Sequence, residues 1–345
     1  MLIALINSCT VFSQDLSFNH FFDNPVNINP ALTGSFCNNN LVIGDMDAEN
    51  SYLGIKNTFN IGTINKWSGS QSPYTSGFAT YQWRKSSFND NPNSYMPEVP
   101  LSIALTAVYD KTMFGVMKST YFTISGAYNH SLAVNNDNSN MALGIGFAAT
   151  YSNRVADLSN ISFSEQFQSG GFDLSLPNGE YTMSNMKSYI SYSSGLLFSL
   201  NNGSNMLRLG VSCFNLNQPN QSFYNGVDNK LPLRYSSNIS LNHCIENGRE
   251  FKYSYDLFSN YQLQSESKIF LIGGMLNRLF DDEYNSGKFS IGLGCNYQSN
   301  KTLTPCMRMQ AHKYQVTATY DVLTDKESGE LSKTKSYGIF FQYLF

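Results

Sequence analysis

The stretch NMALGIGFAATYS, residues 140–152, decides the fold because large apolar and small side chains alternate along it. Successive side chains of an extended chain point to opposite faces, so one face here is apolar and the other is small or polar. The apolar face comprises Met141, Leu143, Ile145, Phe147, Ala149 and Tyr151. The same alternation recurs at 100–110, 120–132, 188–201 and 288–298. This periodicity predicts β-strands with two chemically different faces.

Two all-β architectures produce this pattern. A soluble sandwich buries the apolar face in its core, whereas a membrane barrel turns that face to lipid and the polar face to its lumen. The non-apolar faces carry Gly, Ser, Thr, Ala and Asn rather than the Lys and Glu of a water-exposed surface. The segments are about 10–14 residues long, as tilted transmembrane strands require. We therefore expect an all-β, transmembrane antiparallel β-barrel, with a secreted β-sandwich adhesin as the soluble alternative.

Counting back from the C-terminus gives about 14 strands, an even number as is usual in this class. The predicted strands are 51–64, 74–86, 100–110, 119–134, 140–152, 189–201, 204–216, 233–246, 250–262, 266–279, 286–298, 303–310, 314–324 and 335–345. The short turns AHK, ENGR, NNGS and NNDNSN then fall on the predicted periplasmic side. The long segments 153–188, 217–232 and TDKESGELSK fall on the outer side. SFNDNPNSYMPEV is long for a periplasmic turn, and Pro305 is tolerable only near a strand start.

The last predicted strand, SYGIFFQYLF, places aromatic and apolar side chains on one face and ends the chain with phenylalanine. Aromatic residues at alternate positions before a terminal phenylalanine resemble the assembly signal of bacterial outer-membrane proteins. We assign that role to Tyr343 and Phe345. Together with the alternation, this ending predicts location in the bacterial outer membrane.

The composition supports a surface location. Charged residues make up 14% of the chain, against about 25% in an average soluble protein. A net charge of −3 gives no basic surface for nucleic acid. The start, MLIALINSCTVFSQ, is typical of a secretory signal, so residues 1–13 are predicted to be a signal peptide, although its positive region is missing or truncated. The alternative, a lipoprotein cysteine at Cys9, is preceded by a poor lipobox.

No sequence motif for catalysis, a cofactor or a metal is present. The chain contains no phosphate-binding loop, dinucleotide fingerprint, nucleophile elbow or zinc-hydrolase pattern. Its histidines lie far apart, its cysteines form no CxxC pair, and the acidic run Asp281–Glu283 is typical of a solvated turn. We therefore expect a protein that is not an enzyme and that needs no cofactor.

Residues 20–36, HFFDNPVNINPALTGSF, contain two Asn-Pro pairs among apolar side chains. Proline fixes its own φ and pushes the preceding residue out of the helical region, so this stretch is neither a regular helix nor a central strand. One interpretation is a fixed N-terminal segment, residues 14–40, packed at the periplasmic mouth of a barrel formed by residues 41–345. The other is a rigid lead-in to the first strands.

The stretch QDLSFNHFFDNPVNINPALTGS resembles the mature N-terminus of the PorP/SprF family of Bacteroidetes outer-membrane proteins. That family begins with Gln-Asp, then aromatic residues, Asn-Pro, a short spacer, and Asn-Pro-Ala before Gly-Ser. The matching positions are Gln14, Asp15, Phe18, Asn24, Pro25, Asn29, Pro30, Ala31, Gly34 and Ser35. Looser likenesses follow in VYDKTMFG, ISFSEQFQ, VSCFNLNQPNQSF and LPLRYSSNISL. The chain departs from the family around residues 50–70, where NKWSGS stands in place of the usual signature.

The resemblance implies a barrel that works with the type IX secretion system, which exports adhesins, hydrolases and gliding-motility components. Its implied partners are a secreted cargo protein with a type IX sorting domain and other components of the system. The runner-up function is a transporter barrel for small hydrophobic ligands, which needs a lateral opening and a continuous lumenal path. Because loops on rigid scaffolds carry most recognition, the outer loops, above all 153–188, are the expected contact surface.

Overall fold

The computed structural model describes residues 24–34, 57–68, 73–87, 98–112, 115–134, 139–157, 162–173, 175–177, 186–202, 204–223, 228–247, 251–281, 288–323 and 335–345. None of the helices in these ranges has the length and apolar character needed to cross a membrane. Three short 3-10 helices lie at Pro25–Asn27, Pro30–Leu32 and Ser164–Gln166.

The strands of the described chain form a closed antiparallel barrel and one small hairpin. The barrel strands are β1 (Asn57–Ser68), β2 (Tyr74–Ser87), β3 (Glu98–Thr112), β4 (Met117–Val134), β5 (Ser139–Ala156), β8 (Tyr189–Asn202), β9 (Asn205–Phe214), β10 (Arg234–Asn247), β11 (Phe251–Gln264), β12 (Ser267–Asp281), β13 (Lys288–Gln298), β14 (Thr302–Ala311), β15 (Tyr314–Leu323) and β16 (Lys335–Leu344). The hairpin pairs β6 (Phe167–Gln168) with β7 (Gly171–Phe172). The predicted fourteen-stranded barrel is confirmed.

The barrel closes where β1 pairs with β16. Thr58 lies opposite Leu344 and Asn65 lies opposite Tyr337. The amide and carbonyl groups of Asn57 and Phe345 also exchange hydrogen bonds, at 2.8 and 3.0 Å. Because each of the fourteen described barrel strands is paired on both sides, none of them offers a free edge to another chain.

The two faces of the wall differ as the alternation predicts. In β14 every residue from Thr302 to Ala311 switches between buried and exposed. Outward positions carry large exposed apolar side chains, such as Ile124 and Phe147, each 60% exposed. Inward positions carry buried serine, threonine, asparagine and glutamine, such as Ser102 and Thr317. The outward face is the apolar belt that lipid covers in this class of protein.

The connections sort to the two ends as expected. The turns at Asn202–Asn205, Asn247–Phe251 and Ala311–Tyr314 lie at the same end as the C-terminus. The long connections after Ala156 and after Phe214 lie at the opposite end. Since short turns are periplasmic in this class, we call these the periplasmic end and the outer end. The connection 88–97, predicted to be long for a periplasmic turn, lies outside the described residues.

Candidate functional site: the lumenal plug

Residues 24–34 fold into two successive 3-10 turns, each beginning with a proline. The fixed φ of Pro25 and Pro30 suits a first helical position, where the missing N–H would have no partner in any case. The Asn29 side chain caps the second turn by accepting a 2.9 Å hydrogen bond from the Ala31 N–H. The Thr33 hydroxyl closes that turn by donating to the Pro30 carbonyl at 2.7 Å. The sequence therefore makes a compact, irregular but ordered piece of chain.

This piece, here called the plug, lies inside the barrel. Asn29 and Ala31 are fully buried. Ile28, Ala31 and Leu32 pack with apolar side chains that point inward from the strands, namely Leu197, Phe258 and Leu271. Residues 24–34 lie against the middle of the wall. The packing of the whole segment 14–40 at the periplasmic mouth stays a prediction, because residues 14–23 and 35–40 lie outside the described residues.

Asn29 is the centre of the plug's contacts with the wall. Its Nδ2 donates to the carbonyls of Leu196 and Val211 at 3.0 and 3.3 Å, and to Asn238 Oδ1 at 3.3 Å. A side chain in the lumen can approach the backbone of the wall this closely only where the inward-facing wall residues are very small.

Glycines provide that space. A Cβ at Gly195 would collide with Asn29 Oδ1, and a Cβ at Gly210 would lie 2.6 Å from Asn29 Nδ2. A Cβ at Gly146 would collide with the backbone at Pro30 and Ala31. These three glycines face the lumen on β5, β8 and β9, so they form a recess shaped for this segment. In the sequence these glycines occupy the small-residue positions of alternating strands. The alternation alone does not show that they form a recess.

Further hydrogen bonds fix the plug to the wall. Ser212 Oγ donates to the Ile28 carbonyl at 2.8 Å, and Thr33 Oγ1, whose own proton goes to Pro30, accepts a hydrogen bond from Ser125 Oγ at 2.9 Å. The Gly34 N–H donates to Gln82 Oε1 at 2.8 Å, and Arg234 donates to the Asn27 carbonyl at 3.3 Å.

These contacts show the plug's direction. Arg234 begins β10 at the outer end, whereas Ser102, next to Gly34, lies near the periplasmic end of β3. The plug therefore descends through the lumen from Asn24 to Gly34.

A buried polar network lies in the lumen toward the periplasmic end. Arg308 NH1 and Asp256 Oδ2 lie 3.5 Å apart, with side chains only 1% and 2% exposed. Asn242 and Asn277 both donate to the Asp256 carboxylate, Asn277 at 3.1 Å. The network joins β10, β11, β12 and β14. In the sequence, Asp256 and Arg308 are charged residues at positions where the alternation places side chains in the lumen. The sequence analysis did not predict this network.

A small cavity lies on the outer side of the plug. It has a volume of about 60 Å³ and is lined by Asn24, Val26 and Asn27 of the plug, by Ser and Thr hydroxyls of β3, β4, β5 and β8, and by Leu231 and Arg234. The Asn24 amide is 2% exposed and makes no hydrogen bond in the structure. At about 10–15 Å³ per enclosed water, this cavity holds a few water molecules.

The residues singled out in the sequence fall into two groups. Asn24, Pro25, Asn29, Pro30, Ala31 and Gly34 all belong to the plug. Tyr343 and Phe345 lie on the outward side of the closing seam, with ring centroids 5.0 Å apart. Tyr314 stacks on Tyr343 at 5.0 Å, which extends this ladder to β15. Phe18 and the signal segment lie outside the described residues.

The closed barrel and its apolar outer face define the class of protein. It is a transmembrane β-barrel of the outer-membrane type, and residues 24–34 of the same chain lie in its lumen. The chain belongs to the PorP/SprF family, described as type IX secretion system membrane protein PorP/SprF, whose model matches residues 51–343. The match includes residues 51–70, where the family signature was unclear. It leaves out the N-terminal motif that carried the resemblance most specifically.

Solved structures of outer-membrane proteins are similar to this chain in fold. CdiB from Acinetobacter baumannii has a TM-score of 0.41 and 7% identity, over 84% of this chain and 60% of that one. Acinetobacter baumannii Omp33 has a TM-score of 0.39 and 9% identity, over 85% of this chain and 100% of that one. A Pseudomonas aeruginosa FadL homologue has a TM-score of 0.37 and 8% identity, over 84% and 89%. No curated protein matches the chain significantly.

Proposed function

We propose that this protein is an outer-membrane accessory of the type IX secretion system that binds a secreted cell-surface cargo protein and helps to secrete or retain it. Membership of the PorP/SprF family supports the link to the secretion system. The cargo is expected to be an adhesin or a gliding-type surface protein with a type IX sorting domain. The protein acts by binding and not by catalysis.

The observation that carries this proposal is the plug. Asn29 is hydrogen-bonded to two strands of the wall, and Ile28 and Leu32 are buried against inward-facing side chains. Because these residues occupy part of the lumen, we infer that the lumen is not the route of a folded partner. A partner therefore meets the protein at its surface, and the long connections at the outer end offer the largest non-lipid surface for that contact.

The runner-up function, a transporter for small hydrophobic ligands, has less support. It needs a lateral opening and a continuous lumenal path. Each neighbouring pair of the described barrel strands is hydrogen-bonded, and the plug occupies part of the lumen. The cavity beside Asn24 is only about 60 Å³, which suits a few water molecules and is far smaller than a typical ligand pocket.

We propose further that residues 14–40 form a functional unit that stabilises the barrel from within. On this proposal the Asn-Pro turns reduce the freedom of the segment before it docks, which lowers the entropy lost on docking. Tyr343 and Phe345 are proposed to serve assembly into the outer membrane.

Co-purification from the native outer membrane tests the proposed function. The full-length protein, carrying an affinity tag, is extracted in detergent, and the proteins that remain bound are identified by mass spectrometry. A second outer-membrane barrel with the same tag is the control. We expect a large surface protein with a type IX sorting domain to be enriched only with this chain. A barrel that is purified without any such partner would shift the function to the transporter.

A further inference from the structure

The outer connection between β5 and β8 contains a small structure built around one buried side chain. Gln166 is 4% exposed although it lies in a surface loop. Its Oε1 accepts a hydrogen bond from the Phe163 N–H at 3.1 Å, and its Nε2 donates to the Leu176 carbonyl at 2.8 Å. The Gln166 carbonyl accepts the Asp173 N–H at 2.8 Å. These bonds hold both ends of the β6–β7 hairpin together.

Asp173 fixes the exit from the hairpin. Its Oδ1 accepts hydrogen bonds from the Ser175 hydroxyl at 2.6 Å and the Ser175 N–H at 3.0 Å. These two bonds, that from the hydroxyl first, hold the pKa of the Asp173 carboxyl below its usual range. Gly171 has a φ of +125°, which side-chain-bearing residues rarely adopt, so the turn depends on glycine.

The hairpin presents two phenyl rings to solvent. Phe167 and Phe172 are cross-strand partners, 61% and 55% exposed, with ring centroids 5.1 Å apart in an edge-to-face arrangement. They lie in the connection between β5 and β8 and not on a barrel strand. Glu165 and Asp173 flank them, and both carboxylates are exposed. The result is a rigid apolar pair between two negative charges.

We propose that Phe167 and Phe172 form a docking site for a polypeptide that presents an apolar side chain beside a lysine or arginine. Rigid exposed aromatic residues contribute strongly to binding because little conformational entropy is lost when a partner covers them. The flanking carboxylates favour a basic partner and disfavour insertion into lipid, where a charged carboxylate loses its hydration. This inference rests on the proposed function, since it takes the partner to be the cargo.

Site-specific photocrosslinking tests the docking site in the full-length protein in its native membrane. Benzoylphenylalanine replaces Phe172 in one variant and Gln168, the exposed neighbour of Phe167, in the control. We expect a polypeptide adduct from position 172 and little or none from position 168. The crosslinked peptide, mapped by mass spectrometry, is expected to contain an apolar residue next to lysine or arginine. A lipid adduct, equal adducts from both positions or a contact peptide without a basic residue would overturn the proposal.

Substitutions separate the docking site from the wider function. The double variant F167S/F172S is expected to reduce cargo recovered by co-purification by about tenfold or more, as loss of a binding hot spot does. Glu165→Lys is expected to reduce it several-fold, while Gln168→Ala leaves it unchanged. Cargo that binds F167S/F172S as well as the wild type would overturn the docking site and leave the proposed function standing. Cargo that binds neither protein would overturn the proposed function itself.

Discussion

Gly195 and Asn29 act as a matched pair. The missing side chain at 195 leaves the space that the Asn29 amide occupies, and from there the amide reaches main-chain carbonyls of β8 and β9. The two residues depend on each other. With a side chain at position 195, Asn29 would clash with the wall, and without Asn29 the space beside Gly195 would be empty. In the sequence, five barrel strands, β1 to β5, lie between the two positions.

Substitution at both positions tests this pairing. Gly195→Ala is expected to lower the free energy of unfolding by about 1–3 kcal/mol, because the added Cβ displaces Asn29. Asn29→Ala is expected to cost a similar ~1–3 kcal/mol, because the buried Ala31 N–H loses its acceptor. The double variant should cost clearly less than the sum, because the clash is then absent. Urea unfolding in detergent, followed by tryptophan fluorescence, measures all three.

Gly126→Ala is the matched control for Gly195→Ala. A Cβ at position 126 would meet the Ser102 carbonyl at an ordinary 3.7 Å. The free energy of unfolding should therefore change little. Strictly additive costs in the Gly195 and Asn29 variants would show that the two residues are independent and would refute the pairing.

At the scale of elements, a buried ion pair and two asparagines that donate to it join four strands of the barrel. The Asp256–Arg308 pair, with Asn242 and Asn277, connects β10, β11, β12 and β14 inside the lumen. Removing one member of a buried pair leaves a charge without compensation, which typically costs about 3–5 kcal/mol. Asp256→Asn and Arg308→Met should each destabilise the barrel to that extent. The double variant should recover much of the loss, measured by the same urea unfolding.

Lys118→Met is the control for this prediction. Lys118 and Asp157 lie 3.3 Å apart, but their side chains are 40% and 41% exposed. Pairs of this kind contribute about 0–1 kcal/mol. If loss of Lys118 costs as much as loss of Arg308, burial is not the reason for the importance of the Asp256–Arg308 pair.

The closing strand offers a prediction about assembly. Tyr343 stacks between Tyr314 and Phe345 on the outward face of β16. If this ladder is the assembly signal, Phe345→Ser and Tyr343→Ser should each lower the fraction of folded barrel in the outer membrane several-fold. Tyr337→Ser changes an exposed tyrosine on the same face of the same strand and should have a smaller effect. The folded fraction is read from the shifted gel mobility of unheated samples.

The strands followed from the sequence because lipid and lumen impose a strict two-residue period on the wall. The first strand was less well placed: it was predicted at 51–64 and lies at Asn57–Ser68. Its predicted first residues, 51–56, lie outside the described residues, and the strand continues four residues beyond its predicted end. Pro305 was expected only near a strand start and is the fourth residue of β14. The pairing of β14 with β15 passes from Leu303–Val322 to Cys306–Thr319, so its missing N–H falls in a gap of that ladder.

The location of the plug did not follow from the sequence. The Asn-Pro pairs indicated a rigid segment, and the apolar Ile28 and Leu32 indicated that it is buried. The sequence did not show which surface buries these side chains. Leu197, Phe258 and Leu271 bury Ile28 and Leu32, while Gly146, Gly195 and Gly210 make room for the chain from Asn29 to Ala31. Each of these residues is ordinary for a lumenal face until the barrel brings them together. A site formed by distant strands around a separate segment has no local signature.

At the scale of the whole molecule, the plug occupies part of the lumen, which should restrict flow through the barrel. The wild-type protein in a planar lipid bilayer is therefore expected to conduct ions poorly. Deleting residues 15–34 removes the hydrogen bonds of Asn29 and the apolar contacts of Ile28 and Leu32, and should raise the conductance several-fold. The same deletion should reduce cargo recovered by co-purification, because an empty lumen leaves the wall that supports the outer connections less rigid.

Deleting residues 164–173 is the matched control, since it removes a segment of the outer connection and leaves the plug in place. That variant should conduct as poorly as the wild type and yet lose cargo through the missing Phe167 and Phe172. The two deletions thus separate closure of the lumen from recognition of a partner. If deletion of residues 15–34 leaves conductance, assembly and cargo unchanged, the segment is only a lead-in to the first strands. In that case the side chains around Asp256 and Arg308 would be what closes the barrel.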